Sequence, residues 1–197
     1  MSAPIFHLLA GPNGAGKSTL YKALAARGAI DGAHEFVNAD LYEQAALQHI
    51  GDAQKRSEAA RDWADDRREA LLANGTSFVS ETVFSHESKL ALIGRAQSLG
   101  FHVVLYVVAV DDPQRLLLRV SQRVLHGGHH VPADRVLQRY PRTMAHLKTA
   151  IRLADLAFLY DAVEIEHGAH ALVALCEKDK TTVLSALPAW AKTMLAE

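Results

Sequence analysis

Four residues near the start of the chain have the types and spacing of a phosphate cradle. Gly11, Gly16, Lys17 and Ser18 fit G-x-x-x-x-G-K-[ST] within the run LLAGPNGAGKST. Glycines let a backbone curl until successive N–H groups converge on an anion at the positive end of the helix that follows. Gly11, Pro12, Asn13, Gly14, Ala15 and Gly16 would wrap the phosphates, Lys17 would bridge their β and γ oxygens, and Ser18 and Thr19 would open the helix. The Ser18 hydroxyl suits magnesium, so the expected cofactors are ATP and Mg2+.

If the γ-phosphoryl group is to move to an alcohol, a carboxylate must orient and deprotonate that alcohol. Asp40 closes FVNAD, and Glu81 and Thr82 stand in SFVSETVFS. Both stretches read as strands, and ligands of an open parallel sheet gather at the carboxyl ends of its strands. Asp40 is the candidate base; its alternative role is an N-cap for the helix beginning at Leu41. Glu81, with Thr82, is placed on the acceptor side, either on the acceptor or on a magnesium-bound water, with a structural hydrogen bond as its alternative.

Arginines supply the opposite charge. Arg119 and Arg123 lie four apart, opposite a stripe of Leu116, Leu117, Val120 and Val124 that should face the core. Arg135, Arg139 and Arg142 repeat the pattern beyond a Gly127-Gly128 hinge. The two faces predict a lid around residues 115–145 that clamps the transferring phosphoryl group and excludes water. His126, His129 and His130 lack a cysteine or carboxylate at ligand spacing and are not read as a metal site. Trp63 and Leu71, with Ala59, Ala60, Ala64 and Ala70, trace a packing face, and the DWADDRRE segment beside them reads as a solvated one.

Apolar strands alternating with helical patterns must position these groups: 5–10 then 18–27, 35–38 then 41–74, 77–83 then 87–99. The alternation predicts an α/β, three-layer P-loop NTPase fold with a mostly parallel sheet. Residues 101–110 form the most continuous β-branched run and should be its central strand, followed by a helix over 114–125. Asp111 and Asp112, just before Pro113, read as that helix's N-terminal cap. A helix from Ala133 should break or kink at Pro141 and resume over 143–153. A short strand at 156–160, a hairpin of 171–175 with 182–184, and a helix from Pro188 follow.

The chain has 197 residues, 49% of them apolar, enough for one domain spanning 1–197 with a sizeable core. With 21 basic against 22 acidic side chains it lacks the positive field of a nucleic-acid or anionic-membrane binder. Cys176 is the single cysteine, which forbids an intrachain disulfide and points to the cytoplasm. The start, MSAPIFHLLAG, has no charged targeting region, and no apolar run reaches the roughly eighteen residues needed to span a bilayer.

GPNGAGKST also occurs in transporter-type ATPases, but the chain has neither their LSGGQ-type signature nor an apolar strand ending in Asp-Glu. The set AGPNGAGKST, FVNAD, SFVSETVFS, RVSQRVLHGGHHVPADRVLQRY and RLADLAFLYD, over residues 5–161, instead resembles the zeta toxin family of P-loop kinases, in a short branch often labelled ABC-type ATPase. That resemblance implies ATP-dependent phosphorylation of the amino-sugar 3′-hydroxyl of UDP-N-acetylglucosamine, with an antitoxin protein as partner. Carried over by motif, it gives Lys17 and Ser18 to ATP and magnesium, Asp40 to the base, Glu81 to the acceptor, and Arg123 with Arg135 or Arg139 to the lid. The chain is shorter than the better-known members and differs in the middle of the phosphate loop. A kinase for NAD, a nucleoside or an RNA end is the alternative within the class, and a non-catalytic ATP-dependent switch the alternative outside it.

Overall fold

The computed structural model describes residues 3–125, 131–162, 170–178 and 180–196. Its strands are β1 (Ile5–Ala10), β2 (Glu35–Val37), β3 (Phe78–Thr82), β4 (His102–Ala109), β5 (Leu156–Asp161), β6 (Ala171–Glu177) and β7 (Lys180–Val183). The helices are α1 (Lys17–Ala26), α2 (Ala39–Ala46), α3 (Ala53–Ala73), α4 (Ser88–Ser98), α5 (Pro113–Leu125), α6 (Ala133–Leu153) and α7 (Ala189–Leu195). The sheet order is β2-β3-β1-β4-β5-β6-β7, parallel from β2 through β5, with the expected hairpin β6–β7 added antiparallel. β4 is its fourth strand and is buried from Val103 to Ala109, as a strand covered on both faces must be.

Alternation along the strands feeds two cores. Phe6, Leu8, Phe78 and Leu105 face α3, α4, α7 and the second half of α6, where Leu71, Ile93, Leu147 and Trp190 meet them. Leu9, Val79, Val104 and Val108 face α1 and α5, against Leu20, Leu24, Leu116 and Val120. This is the three-layer arrangement expected. No described helix is long and apolar enough to cross a membrane.

Four local expectations differ from the structure. The single helix expected over 41–74 is two: α2 ends at Ala46, and α3 starts afresh behind Asp52, whose Oδ1 accepts from Gln54 N and Lys55 N at 2.9 and 3.1 Å. α6 runs unbroken through Pro141, which is exposed; the carbonyl bond that proline gives up belongs to Leu137, itself on the solvated side. Asp112 caps α5 through Gln114 N at 2.9 Å, whereas Asp111 caps α7, accepting from Ala189 N and Trp190 N at 3.1 and 2.6 Å. The acidic and basic run of α3 is not simply solvated, since Arg68 is buried and Arg67 pairs bidentately with Glu35 at 2.7 and 2.6 Å.

Candidate active site

The turn from β1 to α1 is pressed against its surroundings so closely that glycine is required at two places. A Cβ on Gly11 would lie 2.0 Å from the Val108 carbonyl oxygen. One on Gly14, whose φ is +80°, would lie 2.7 Å from that of Leu116 on α5. Gly11 N donates to Thr82 O at 3.3 Å, which stitches the loop to the end of β3. Gly11, Pro12 and Ala15 are buried behind the loop and support it, while Asn13, Gly14, Gly16, Lys17, Ser18 and Thr19 line a cleft.

Glu81 sits inside this turn. The pairing of Leu9 with Glu81 brings its carboxylate over the start of α1. Ser18 Oγ donates to Glu81 Oε2 at 2.7 Å, and Lys17 Nζ stands 3.7 Å from Oε1 while donating to Pro12 O at 3.1 Å. Lys17 is buried, and loss of water holds its ammonium below the ordinary lysine range despite Glu81 and Asp40 opposing that shift. A buried ammonium with one carboxylate at this distance is short of anionic partners, which is what a site for phosphate needs. The serine hydroxyl and the carboxylate also form the hard oxygen pair that magnesium prefers beside phosphates.

Asp40 lies in the first turn of α2 and is not its cap. Asn38 is, its Oδ1 accepting from Leu41 N at 3.1 Å. Freed of that duty, the Asp40 carboxylate points into the cleft and meets Arg123 Nη1 of α5 at 3.6 Å. Arg119, Arg135, Arg139 and Arg142 line the same cleft, as does Thr82. The cleft encloses about 1300 Å3, above the roughly 300–1,000 Å3 usual for a single small ligand. Gly127-Gly128 and the three histidines at 126, 129 and 130 lie outside the described residues.

Beyond Asp40 the cleft continues between α3, α6 and the turn after β3. Arg61 of α3 and Arg135, Arg139 and Arg142 of α6 converge there, and among the described residues the α6 three form no ion pair. Burial first, then the neighbouring Arg135, Arg61 and Arg142 charges, depress the Arg139 guanidinium pKa. Arg68 forms part of the floor; Nη1 donates to Ser80 Oγ at 3.2 Å, Nη2 pairs with Asp65, and Asp65 in turn holds Lys89 at 2.7 Å. The wall is a turn in which buried Phe84 has φ 63°, a conformation that costs a non-glycine residue on the order of 1–3 kcal/mol. α6 holds it, with Thr143 Oγ1 donating to Val83 O at 3.1 Å and His146 Nδ1 to Phe84 O at 3.2 Å.

The sequence reading left Asn38, Arg61 and Arg68 out of the site. Arg68 carried a signal, for it continues the stripe Ala60, Ala64 at the same spacing and precedes Leu71 by three. Asn38 carried one too, a capping residue type directly after a strand.

A glycine-lined turn between a central parallel strand and a helix, with an acid at the next strand's end and arginines lining the cleft, defines the class: the chain has a P-loop kinase fold. The zeta toxin family model matches residues 1–184, and the chain belongs to that family. Among solved structures, the AvrRxo1-ORF1:-ORF2 complex with ATP superposes with a TM-score of 0.69 at 19% identity, over 91% of this chain and 60% of that one. The chain therefore spans about 60% of that neighbour's length. A structure of the PezAT chromosomal toxin-antitoxin system of Streptococcus pneumoniae gives 0.63 at 16% identity, over 99% and 84%. A putative kinase from Chloroflexus aurantiacus gives 0.53 at 17%, over 64% and 70%. No curated protein sequence matches the chain significantly.

Proposed function

We propose that this chain is a single kinase domain, with its lid around 115–145, that moves the γ-phosphoryl group of ATP to a hydroxyl of a phosphate-bearing small molecule. The 3′-hydroxyl of the amino sugar in UDP-N-acetylglucosamine is the favoured acceptor. The observation that carries this reading is that Asp40 lines one cleft together with Lys17 and Ser18 of the loop and the arginines of α3 and α6.

In this reading Lys17 binds the β and γ oxygens at the loop, having exchanged Glu81 and the Pro12 carbonyl for them. Asp40 accepts the proton of the acceptor hydroxyl as its oxygen attacks phosphorus and the bond to the β-phosphate oxygen breaks, releasing ADP. Arg123, with Arg135 or Arg139, neutralises the charge that spreads over the equatorial oxygens. Ser18 and Glu81 would hold magnesium, which when bound supplies further neutralisation of the phosphates. Thr82 and the Phe84 turn form the acceptor's wall.

Four converging arginines exceed what one transferring group needs. They suit an acceptor with phosphates of its own, since guanidinium and phosphate oxygens pair bidentately. NAD or an RNA end would satisfy the same arginines; a neutral nucleoside would not. An antitoxin partner fits the family and the toxin-antitoxin neighbour. A cytoplasmic site of action suits the single cysteine.

The test incubates purified protein with ATP, magnesium and a panel of UDP-sugars, NAD, nucleosides and RNA ends, and reads products by mass spectrometry. UDP-N-acetylglucosamine carrying one added phosphate on the sugar is the expected product. A product from another member alone reassigns the acceptor, and no product from any member overturns the kinase reading.

A further inference from the structure

Asn38 ties the two carboxylates of the site to each other. It follows β2, is 6% exposed, and both ends of its amide are engaged. Oδ1 accepts from Leu41 N at 3.1 Å and so fixes the turn that carries Asp40. Nδ2 donates to Glu81 Oε2 at 2.9 Å, the same oxygen that takes the Ser18 hydroxyl at 2.7 Å. Val37 pairs with Ser80 across β2 and β3, so Asn38 and Glu81 stand level and the short side chain reaches.

Few side chains do both. Aspartate caps a helix as well as asparagine but would turn a second anion toward Glu81; serine caps too but is too short to reach the carboxylate and adds no charge. What the position requires is a neutral group that accepts at one end and donates at the other. Resting on the phosphotransferase reading above, we propose that Asn38 is a positioning residue. It sets Glu81 against Ser18, where magnesium would be held, and fixes the α2 turn that aims Asp40, so the metal site and the base keep a set relation.

The experiment measures ATP binding by calorimetry in magnesium and in EDTA, with turnover alongside, for wild type, N38D and N38S. Both variants retain a cap oxygen, so their melting temperatures should stay near wild type. The gain in ATP affinity that magnesium gives should fall by about 10–100-fold in both, as for loss of other groups that orient metal ligands. Wild-type magnesium dependence in both variants overturns the proposal. So does a fall in melting temperature with the magnesium gain intact, which would mark Asn38 as structural only. Loss of the magnesium gain, in a protein whose wild type phosphorylates nothing, supports the Asn38 assignment and sinks the kinase reading instead.

Discussion

Arg123 of α5 and Asp40 of α2 face each other across the cleft, Nη1 to Oδ2 3.6 Å apart, with side chains 40% and 45% exposed. An ion pair this open contributes only about 0–1 kcal/mol. A bound triphosphate, with several formal charges, outcompetes a single carboxylate for Arg123 at that small cost. In the mechanism proposed above, nucleotide binding would thereby free Asp40 for the acceptor hydroxyl.

Asp40→Asn should therefore abolish turnover while leaving ATP binding within about fivefold of wild type, since the amide keeps the shape, loses the proton affinity and gives up only an exposed ion pair worth about 0–1 kcal/mol. Calorimetric ATP titration beside a turnover assay checks it. Equal loss of both would assign Asp40 to nucleotide binding, and unchanged turnover would favour a switch module over an enzyme.

Arg123→Ala should raise the barrier by about 3 kcal/mol, on the order of 10²-fold in kcat, with a much smaller effect on ATP affinity. The split follows because on nucleotide binding Arg123 would exchange one anion, Asp40, for another, so that its net gain comes from the charge developing in the transition state. A rate unchanged from wild type removes Arg123 from the mechanism.

Gly14→Ala should destabilise the fold by about 1–3 kcal/mol and weaken nucleotide binding. Its new methyl would sit 2.7 Å from the Leu116 carbonyl at φ +80°, so the loop and α5 would have to separate. Thermal unfolding with and without ATP measures both effects, and a variant as stable as wild type would show that the loop is not seated on α5 in this way.

His7 gives a pH dependence away from the cleft. It is buried in β1, shares a hydrogen bond of 3.1 Å with Tyr106 Oη, and burial, then His34 and His102, lower its pKa to about 4. Folding thus favours the neutral ring over the imidazolium. Its stabilising share is complete above the unfolded value of about 6.5 and is lost as pH falls from there toward about 4. Melting temperature should drop over that window, and His7→Gln should flatten the drop relative to wild type. Parallel curves for the two proteins would contradict the assignment.

How much of this was legible depended on range along the chain. The phosphate loop is local, nine residues whose spacing is itself the geometry, and β4 announced itself by composition. Asp40 and Glu81 could be placed at strand ends, but Glu81's grip on Ser18 and Lys17 comes from β3 lying directly beside β1. Asn38 meets Glu81 across 43 positions and Asp111 caps a helix 79 positions on, contacts that only the assembled sheet creates. The fresh start of α3 at Asp52 was written in Gly51-Asp52 and lost beneath a helical pattern on both sides. Pro141 shows the reverse, a breaker tolerated because its missing bond falls on the solvated face.

The central claim is spatial, and a crystal structure of the D40N variant with magnesium, a non-transferable ATP analogue and UDP-N-acetylglucosamine tests it most directly. The prediction is an acceptor hydroxyl seated between the residue at position 40 and the terminal phosphoryl group, in line for attack, with Arg123 turned from that residue onto the phosphates. An acceptor bound elsewhere, or a position 40 still facing Arg123 with the space before the phosphate filled, would contradict the account.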